Sequence, residues 1–210
     1  MFGIENYTGF ILACIILNLT PGVDTFYILT RSVSQGRKAG LVSAAGIITG
    51  CLVHVLAAAF GLSLILTTSN FVFSLVKWAG ALYLICLGIK TFMDKENNLE
   101  MVRLHDTPLK IIYKQGVITN VLNPKVALFF LSFLPQFVHA KTVASPLPFL
   151  FLGATFLCTS SIWLSTLSMG ASSLTRTLRE NQRVGVLMQR ASGIIFIGFG
   201  LKLALDPTPN

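Results

Sequence analysis

Six apolar runs divide this 210-residue chain, and most of the charged residues lie outside them. The runs are 7–29, 41–66, 71–92, 116–138, 147–169 and 184–205. Most reach the ~20 residues that an α-helix needs to cross a bilayer. Only 11% of the residues are charged, against roughly 25% in a soluble domain. A chain this long could bury a good core, but it lacks the charge for a polar surface. Lipid is the remaining solvent, and in lipid a helix satisfies its own backbone. The expected fold class is therefore all-α, a polytopic integral membrane protein with six transmembrane helices. The last run is the weakest, because Arg190 interrupts it, so a five-span count stays open.

No Lys or Arg precedes Arg31. The first run therefore lacks the basic flank of a secretory signal and is expected to be a retained span. The basic residues fix the orientation. Of 16 Lys and Arg, twelve fall in or beside the first, third and fifth connections: Arg31, Arg37, Lys38, Lys90, Lys95, Arg103, Lys110, Lys114, Arg176, Arg179, Arg183 and Arg190. Lys77, Lys125, Lys141 and Lys202 are the other four. The positive-inside rule makes the odd connections cytoplasmic and puts both termini outside. That distribution, rather than nucleic acid, accounts for the net charge of +8. The four cysteines, Cys14, Cys51, Cys86 and Cys158, each sit in an apolar run without pair or ligand spacing. They read as small apolar residues.

The two halves resemble each other. Leu19-Thr20-Pro21-Gly22-Val23 with Phe26-Tyr27 matches Leu122-Asn123-Pro124-Lys125-Val126 with Phe129-Phe130 at one offset. Lys77-Trp78-Ala79-Gly80 answers Arg190-Ala191-Ser192-Gly193. Three spans per copy is an odd number, so the second copy must be inverted, an arrangement found in transporters that bind near the midplane. The expected organisation is a single membrane domain: a first three-helix repeat over 1–92, a cytoplasmic connecting loop over 93–114, and a second repeat over 115–210.

Pro21-Gly22 and Asn123-Pro124 lie well inside their runs. Proline removes an amide donor and clashes with the carbonyl four residues back. Each pair therefore reads as a helix break that offers backbone groups to a substrate, or as a packing kink. Asp24, one turn past the first break, is the sole acidic residue inside an expected span. A charge at mid-bilayer costs at least ~2.5 kcal/mol on insertion scales. It should face the bundle interior, be paired or be protonated; Lys125 beside the second break is the natural partner, and Arg31 or interfacial water is the alternative. Asn18, Thr20, Asn120 and Asn123 surround the breaks as substrate ligands or as helix–helix glue. His54 is a proton-relay candidate or a hydrogen-bonded packing residue. Gly46-x-x-x-Gly50 reads as close helix packing. No nucleophile motif, phosphate loop or metal-ligand cluster is present, so neither an enzyme nor a cofactor is expected. A divalent-cation exporter is the alternative function. It would want more intramembrane carboxylates, histidines or thiolates.

Pro21-Gly22-Val23-Asp24 followed by Gly36-Arg37-Lys38-Ala39-Gly40-Leu41 resembles the signature of the LysE/RhtB exporters. Lys77-Trp78-Ala79-Gly80-Ala81-Leu82-Tyr83-Leu84 looks like that family's third span, and Asn120 through Lys125 with Pro135-Gln136-Phe137 like its fourth. The likeness runs from about Leu17 to Leu205 and is nearest the homoserine/threonine/leucine branch. Position 23 is Val where the family usually has a second proline, so that proline supports no substrate inference here. The resemblance implies export of small amino acids from bacterial cytoplasm across the inner membrane, driven by the proton motive force. The implied partners are an amino-acid substrate, protons and lipid, with a homo-oligomer left open.

Overall fold

The computed structural model describes residues 3–62 and 107–180, with individual helical positions between 75 and 93 and between 190 and 205. The side chains of Leu62, Pro124, Ser132, Ala140 and 172–180 stand outside that description. So do most of the expected third and sixth spans and residues 94–106 of the connecting loop.

The first helix, α1 (Tyr7–Leu19), starts at Asn6, whose side chain accepts a hydrogen bond from the Gly9 amide at 3.3 Å. It ends at Thr20, whose hydroxyl and amide both turn back to the Ile16 carbonyl. Pro21 follows and has no amide to continue the ladder. The chain resumes in α2 (Val23–Ala57). The run read as one span over 7–29 is thus two helical pieces joined at an extended break.

Within α2, Gly36 takes φ 82°, ψ 176°. That left-handed φ suits glycine because it lacks a Cβ. Beyond it the chain doubles back: a Cβ on Gly40 would collide with the Ser32 side chain. Residues eight apart in a straight helix are separated by about 12 Å, so α2 consists of two arms, 23–35 and 37–57. The second arm runs on through a π turn, Ala58–Leu62.

Next come α3 (Leu109–Val121) and α4 (Pro124–Leu128), the latter continuing as a π turn (Phe129–Phe133) and a 3-10 turn (Leu134–Phe137). The helix α3 begins at Leu109, inside the stretch read by composition as connecting loop. A helix can start before its apolar run where one face is already packed: Ile112 is fully buried. Last is α5 (Pro146–Glu180), 35 residues long. It does not stop where the apolar run stops at Met169. At 1.5 Å per residue it measures about 52 Å, longer than the ~30 Å hydrocarbon core, so it extends well past a bilayer.

Two described helical stretches, Val23–Gly61 and Pro146–Ala171, are long and apolar enough to cross a membrane. Apart from an isolated Ile4–Val138 bridge, the described residues are helical or irregular. Two cores hold the helices together. One is aromatic, with Phe10, Phe129, Phe130, Phe133, Phe137 and Phe156 in mutual edge and tilted contacts. The other is aliphatic and joins Ile28, Leu29, Ala44 and Ile47 to Leu164 and Leu167. The second arm of α2 lies backbone to backbone on α3. A Cβ on Gly46 would collide with the Tyr113 carbonyl, and one on Gly116 would come within 2.9 Å of the Ser43 carbonyl. The Gly46-x-x-x-Gly50 pattern is this contact. Large apolar side chains such as Leu12, Ile15, Leu52, Val53, Leu56 and Ile162 face outward, the surface a lipid-facing helix presents.

Among the individually placed helical positions, Gly200 abuts Ala81 and Ile85. A Cβ there would sit 2.9 Å from the Ala81 carbonyl oxygen. The third and sixth runs therefore meet at this point. All four cysteines are free.

Candidate functional site

Both proline breaks are real interruptions of helix. At the first, Thr20 is extended (φ −71°, ψ 115°) and Gly22 caps α2. At the second, Asn123 is extended (φ −76°, ψ 107°), accepts from the Lys125 amide through its side chain at 3.0 Å, and sets Pro124 in the first turn of α4. Proline is tolerated there because the first-turn amide would be unpaired in any case.

The two breaks grip each other. From the second, the Lys125 ammonium reaches across to the end of α1 and donates to the Thr20 carbonyl at 2.8 Å and the Leu17 carbonyl at 3.1 Å. Those are end-of-helix acceptors without intrahelical partners, at the negative pole of the helix dipole. From the first, Asp24 stands in the opening turn of α2. Its Oδ2 accepts from Asn120 Nδ2 at 2.9 Å and Asn123 Nδ2 at 3.1 Å.

The direct Asp24–Lys125 pair expected from the sequence does not form. Among the described residues the only ion pair within 4.0 Å is His139–Glu5. The reason is competition: helix-end carbonyls hold the ammonium and side-chain amides hold the carboxylate, so each charge is solvated by the opposite break. The Arg31 alternative does not form either, because Arg31 is engaged elsewhere. Two acceptors are left over, Asp24 Oδ1 and Asn120 Oδ1, both buried and without a hydrogen-bond partner.

A cleft, partly open to solvent, lies between the breaks. Asn18, Thr20, Gly22, Asp24, Asn120, Asn123 and Lys125 all line it. Nearly the whole set of sequence-derived candidates is thus brought to one place. Their roles differ. Asn18 accepts from Ser160 Oγ at 2.9 Å and so ties α1 to α5. The Thr20 side chain returns to its own helix, while its carbonyl serves Lys125. His54 Nε2 lies 3.0 Å from the Asn120 carbonyl and its ring stacks on Phe130. It supports Asn120 from behind, and it is not among the residues lining the cleft.

The remaining wall was not foreseen. Thr25, Ile47, Ile48, Phe156, Ser160 and Leu164 complete it. Each is an ordinary residue of an apolar run; Thr25 comes from the first arm of α2, and the others are brought in by packing of α5 and the second arm of α2. A polar cluster below the cleft was missed as well. Arg31 is 6% exposed. Its guanidinium donates to Gln35 Oε1 (2.9 Å), Thr107 Oγ1 (3.0 Å) and Gln115 Oε1 (2.8 Å), joining α2 to α3. Tyr27 adds a 2.7 Å bond to the Ile112 carbonyl. The sequence marked Arg31 only as an orientation charge and as an alternative partner for Asp24.

No group of three or more His, Cys, Asp or Glu converges among the described residues. That chemistry gives a divalent cation little to bind, and the cation-exporter alternative gains no support from it.

A sequence profile described as LysE type translocator matches residues 15–207. The chain is 29% identical over 209 residues to a leucine efflux protein of Klebsiella pneumoniae subsp. pneumoniae, covering 97% of this chain and 96% of that one. It is 28% identical to leucine efflux proteins of Salmonella choleraesuis, over 97% and 96% of the two chains, and of Enterobacter sp., over 97% of each. No solved structure matches significantly. With the profile spanning nearly the whole sequence, including both breaks and the cleft between them, the chain belongs to the LysE type translocator family.

Proposed function

We propose that this protein is a secondary active exporter that carries small amino acids from the bacterial cytoplasm across the inner membrane in exchange for protons. The observation that carries this is the reciprocal grip of the two broken helices: one carboxylate and one ammonium line a single cleft without neutralising each other. An amino-acid zwitterion has the complementary pair of charges. The relatives described as leucine efflux proteins support an amino acid of that kind.

Six spans with both termini outside accommodate the fold. The first span is α1 plus the first arm of α2, and the fourth is α3 plus α4 with its π and 3-10 turns. Both are discontinuous, and they face each other as the two copies of an inverted repeat over 1–92 and 115–210, joined by the cytoplasmic stretch 93–114. The site comprises Asp24 and Lys125, held by Asn120, Asn123 and the Thr20 carbonyl, on backbones shaped by Pro21, Gly22 and Pro124.

Transport follows from competition at Lys125. A substrate carboxylate offers the ammonium a charged acceptor in place of two neutral carbonyls, a stronger hydrogen bond. Once Lys125 lets go of Thr20 and Leu17, the end of α1 is freed from α4 and the halves can rock. Asp24 then carries a proton on the return stroke, and His54 behind Asn120 is a further candidate on the proton path.

The test is efflux. Cells expressing the chain are loaded with leucine-containing dipeptides, and leucine and other amino acids are measured inside and outside. Faster appearance outside than in empty-vector cells is expected. Equal rates across a panel of all common amino acids, with the protein present in the inner membrane, would sink the proposal.

A further inference from the structure

The charged lining of the cleft and most of its apolar lining come from different parts of the fold. Its charged groups belong to the breaks, Asp24 at the first and Lys125 at the second, with the amides of Asn120 and Asn123 beside them and that of Asn18 on the last turn of α1. Apolar lining is supplied by Ile47 and Ile48 on the second arm of α2 and by Phe156 and Leu164 on α5, with Leu17 and Val126 beside the breaks. The one polar residue that α5 adds, Ser160, has its hydroxyl hydrogen committed to Asn18.

We infer that the cleft selects amino acids with an uncharged, apolar side chain, held in one orientation: ammonium on Asp24 Oδ1, carboxylate on Lys125 Nζ, and side chain against Ile48, Phe156 and Leu164. This rests on the exporter reading and adds the side-chain class and the residues that set it.

The ammonium end is placed by an unmet demand. Asp24 Oδ2 already has two amide donors, whereas Oδ1 is buried with none. A buried carboxylate oxygen without a donor is a costly state that a ligand N–H relieves. Asn120 and Asn123 both direct their amides to Oδ2 instead. The carboxylate end is placed by Lys125, which has three hydrogens and spends two on carbonyls. With both charged ends of a zwitterion directed to the breaks, its side chain is left to the aliphatic and aromatic wall.

That wall contains no carboxylate for the second ammonium of a basic amino acid. It contains no cation for the second carboxylate of an acidic one. A charge carried into it would be desolvated without a partner. A leucine-sized side chain instead meets apolar surface.

The experiment is counterflow exchange of labelled leucine in vesicles containing the purified full chain, with unlabelled competitors. Isoleucine, valine and norleucine should compete like leucine. Leucinamide, which lacks the carboxylate, and 4-methylpentanoate, which lacks the ammonium, should each compete more weakly by ~10-fold or more. Lysine and glutamate should compete as poorly. Ile48→Asp should then lower leucine exchange and admit lysine, since the new carboxylate gives the side-chain ammonium a partner. Lysine and leucine competing equally in the unaltered protein would overturn the selectivity while leaving an exporter. So would leucinamide or 4-methylpentanoate competing as well as leucine. If no amino acid at all is exchanged, the exporter reading itself fails. The competition series uses the unaltered protein, so it decides the matter even if Ile48→Asp does not fold.

Discussion

The Lys125 ammonium donates a 2.8 Å hydrogen bond to the carbonyl of Thr20, 105 residues away and at the other break. A lysine inside a membrane domain would ordinarily seek a carboxylate or snorkel to an interface. Here it caps the open end of a helix instead. Asp24 does the complementary thing, drawing two amide donors from the far break. The consequence is that the two breaks hold each other through the same groups that line the cleft. A ligand cannot engage either charge without touching that contact.

Lys125→Ala should abolish export while the protein still inserts. Removing the ammonium also leaves the Leu17 and Thr20 carbonyls without their donor, which should lower stability by about 1–3 kcal/mol. Efflux at matched membrane levels, together with thermal unfolding in detergent, separates the two effects. Normal export by the variant would remove Lys125 from the site.

Arg31 should act as a tie between α2 and α3 rather than as a surface charge. Arg31→Ala removes three hydrogen bonds made by a charged group and should cost several kcal/mol, at roughly 1.5–3 kcal/mol for each such bond before compensation by water. Gln115→Ala removes one acceptor and should cost less. The double variant should be little worse than Arg31→Ala alone, because the Gln115 bond is already gone. Unfolding midpoints of the three variants give the coupling; simple additivity would mean the Gln115 contact contributes nothing.

Much of this site was legible because backbone chemistry announces itself. Proline inside an apolar run must interrupt a helix, and a lone carboxylate there must be solvated by protein; both statements survive in the structure. Hydrogen-bond competition was not legible. Charge alone favours Asp24 with Lys125, but helix-end carbonyls and two asparagine amides outbid that pairing, and their positions depend on how the helices stack. Arg31 was hidden for the same reason: its acceptors Thr107 and Gln115 lie more than 70 residues away. The reversal at Gly36 was half visible, as a basic, glycine-containing stretch between runs. Its tightness shows only in the Gly40–Ser32 contact.

The basic asymmetry predicts a topology, six spans with both termini outside, that reporter fusions can check. A cytoplasm-active reporter at Asn97 should give signal, and a periplasm-active one at the C-terminus should do so too. A C-terminus inside the cell would remove one span and with it the three-plus-three repeat.

Gly46→Val should destabilise without touching the cleft. Any Cβ at that position meets the Tyr113 carbonyl, which belongs to the backbone of α3 and cannot rotate away. Overpacking of this kind costs typically ~1–3 kcal/mol. The branched side chain puts the effect at the upper end. Lower membrane yield and a lower unfolding midpoint are expected, with leucine selectivity unchanged in the protein that survives. A shift in selectivity would place Gly46 in the site.

Asp24→Asn tests whether the carboxylate couples proton entry to amino-acid exit. Asparagine keeps the shape and keeps one oxygen to accept from Asn120 and Asn123, so the grip between the breaks is preserved. It cannot take up or release a proton. Vesicles carrying the variant should therefore still exchange labelled for unlabelled leucine, though more weakly, because an amide holds an ammonium less firmly than a carboxylate does. They should not accumulate leucine when a pH gradient is the sole energy source. Full loss of both activities would assign Asp24 to binding alone. Retained uphill transport would place the coupling on another group. His54 is then the next to change: its Nε2 bonds the carbonyl of Asn120, the residue whose side chain holds Asp24.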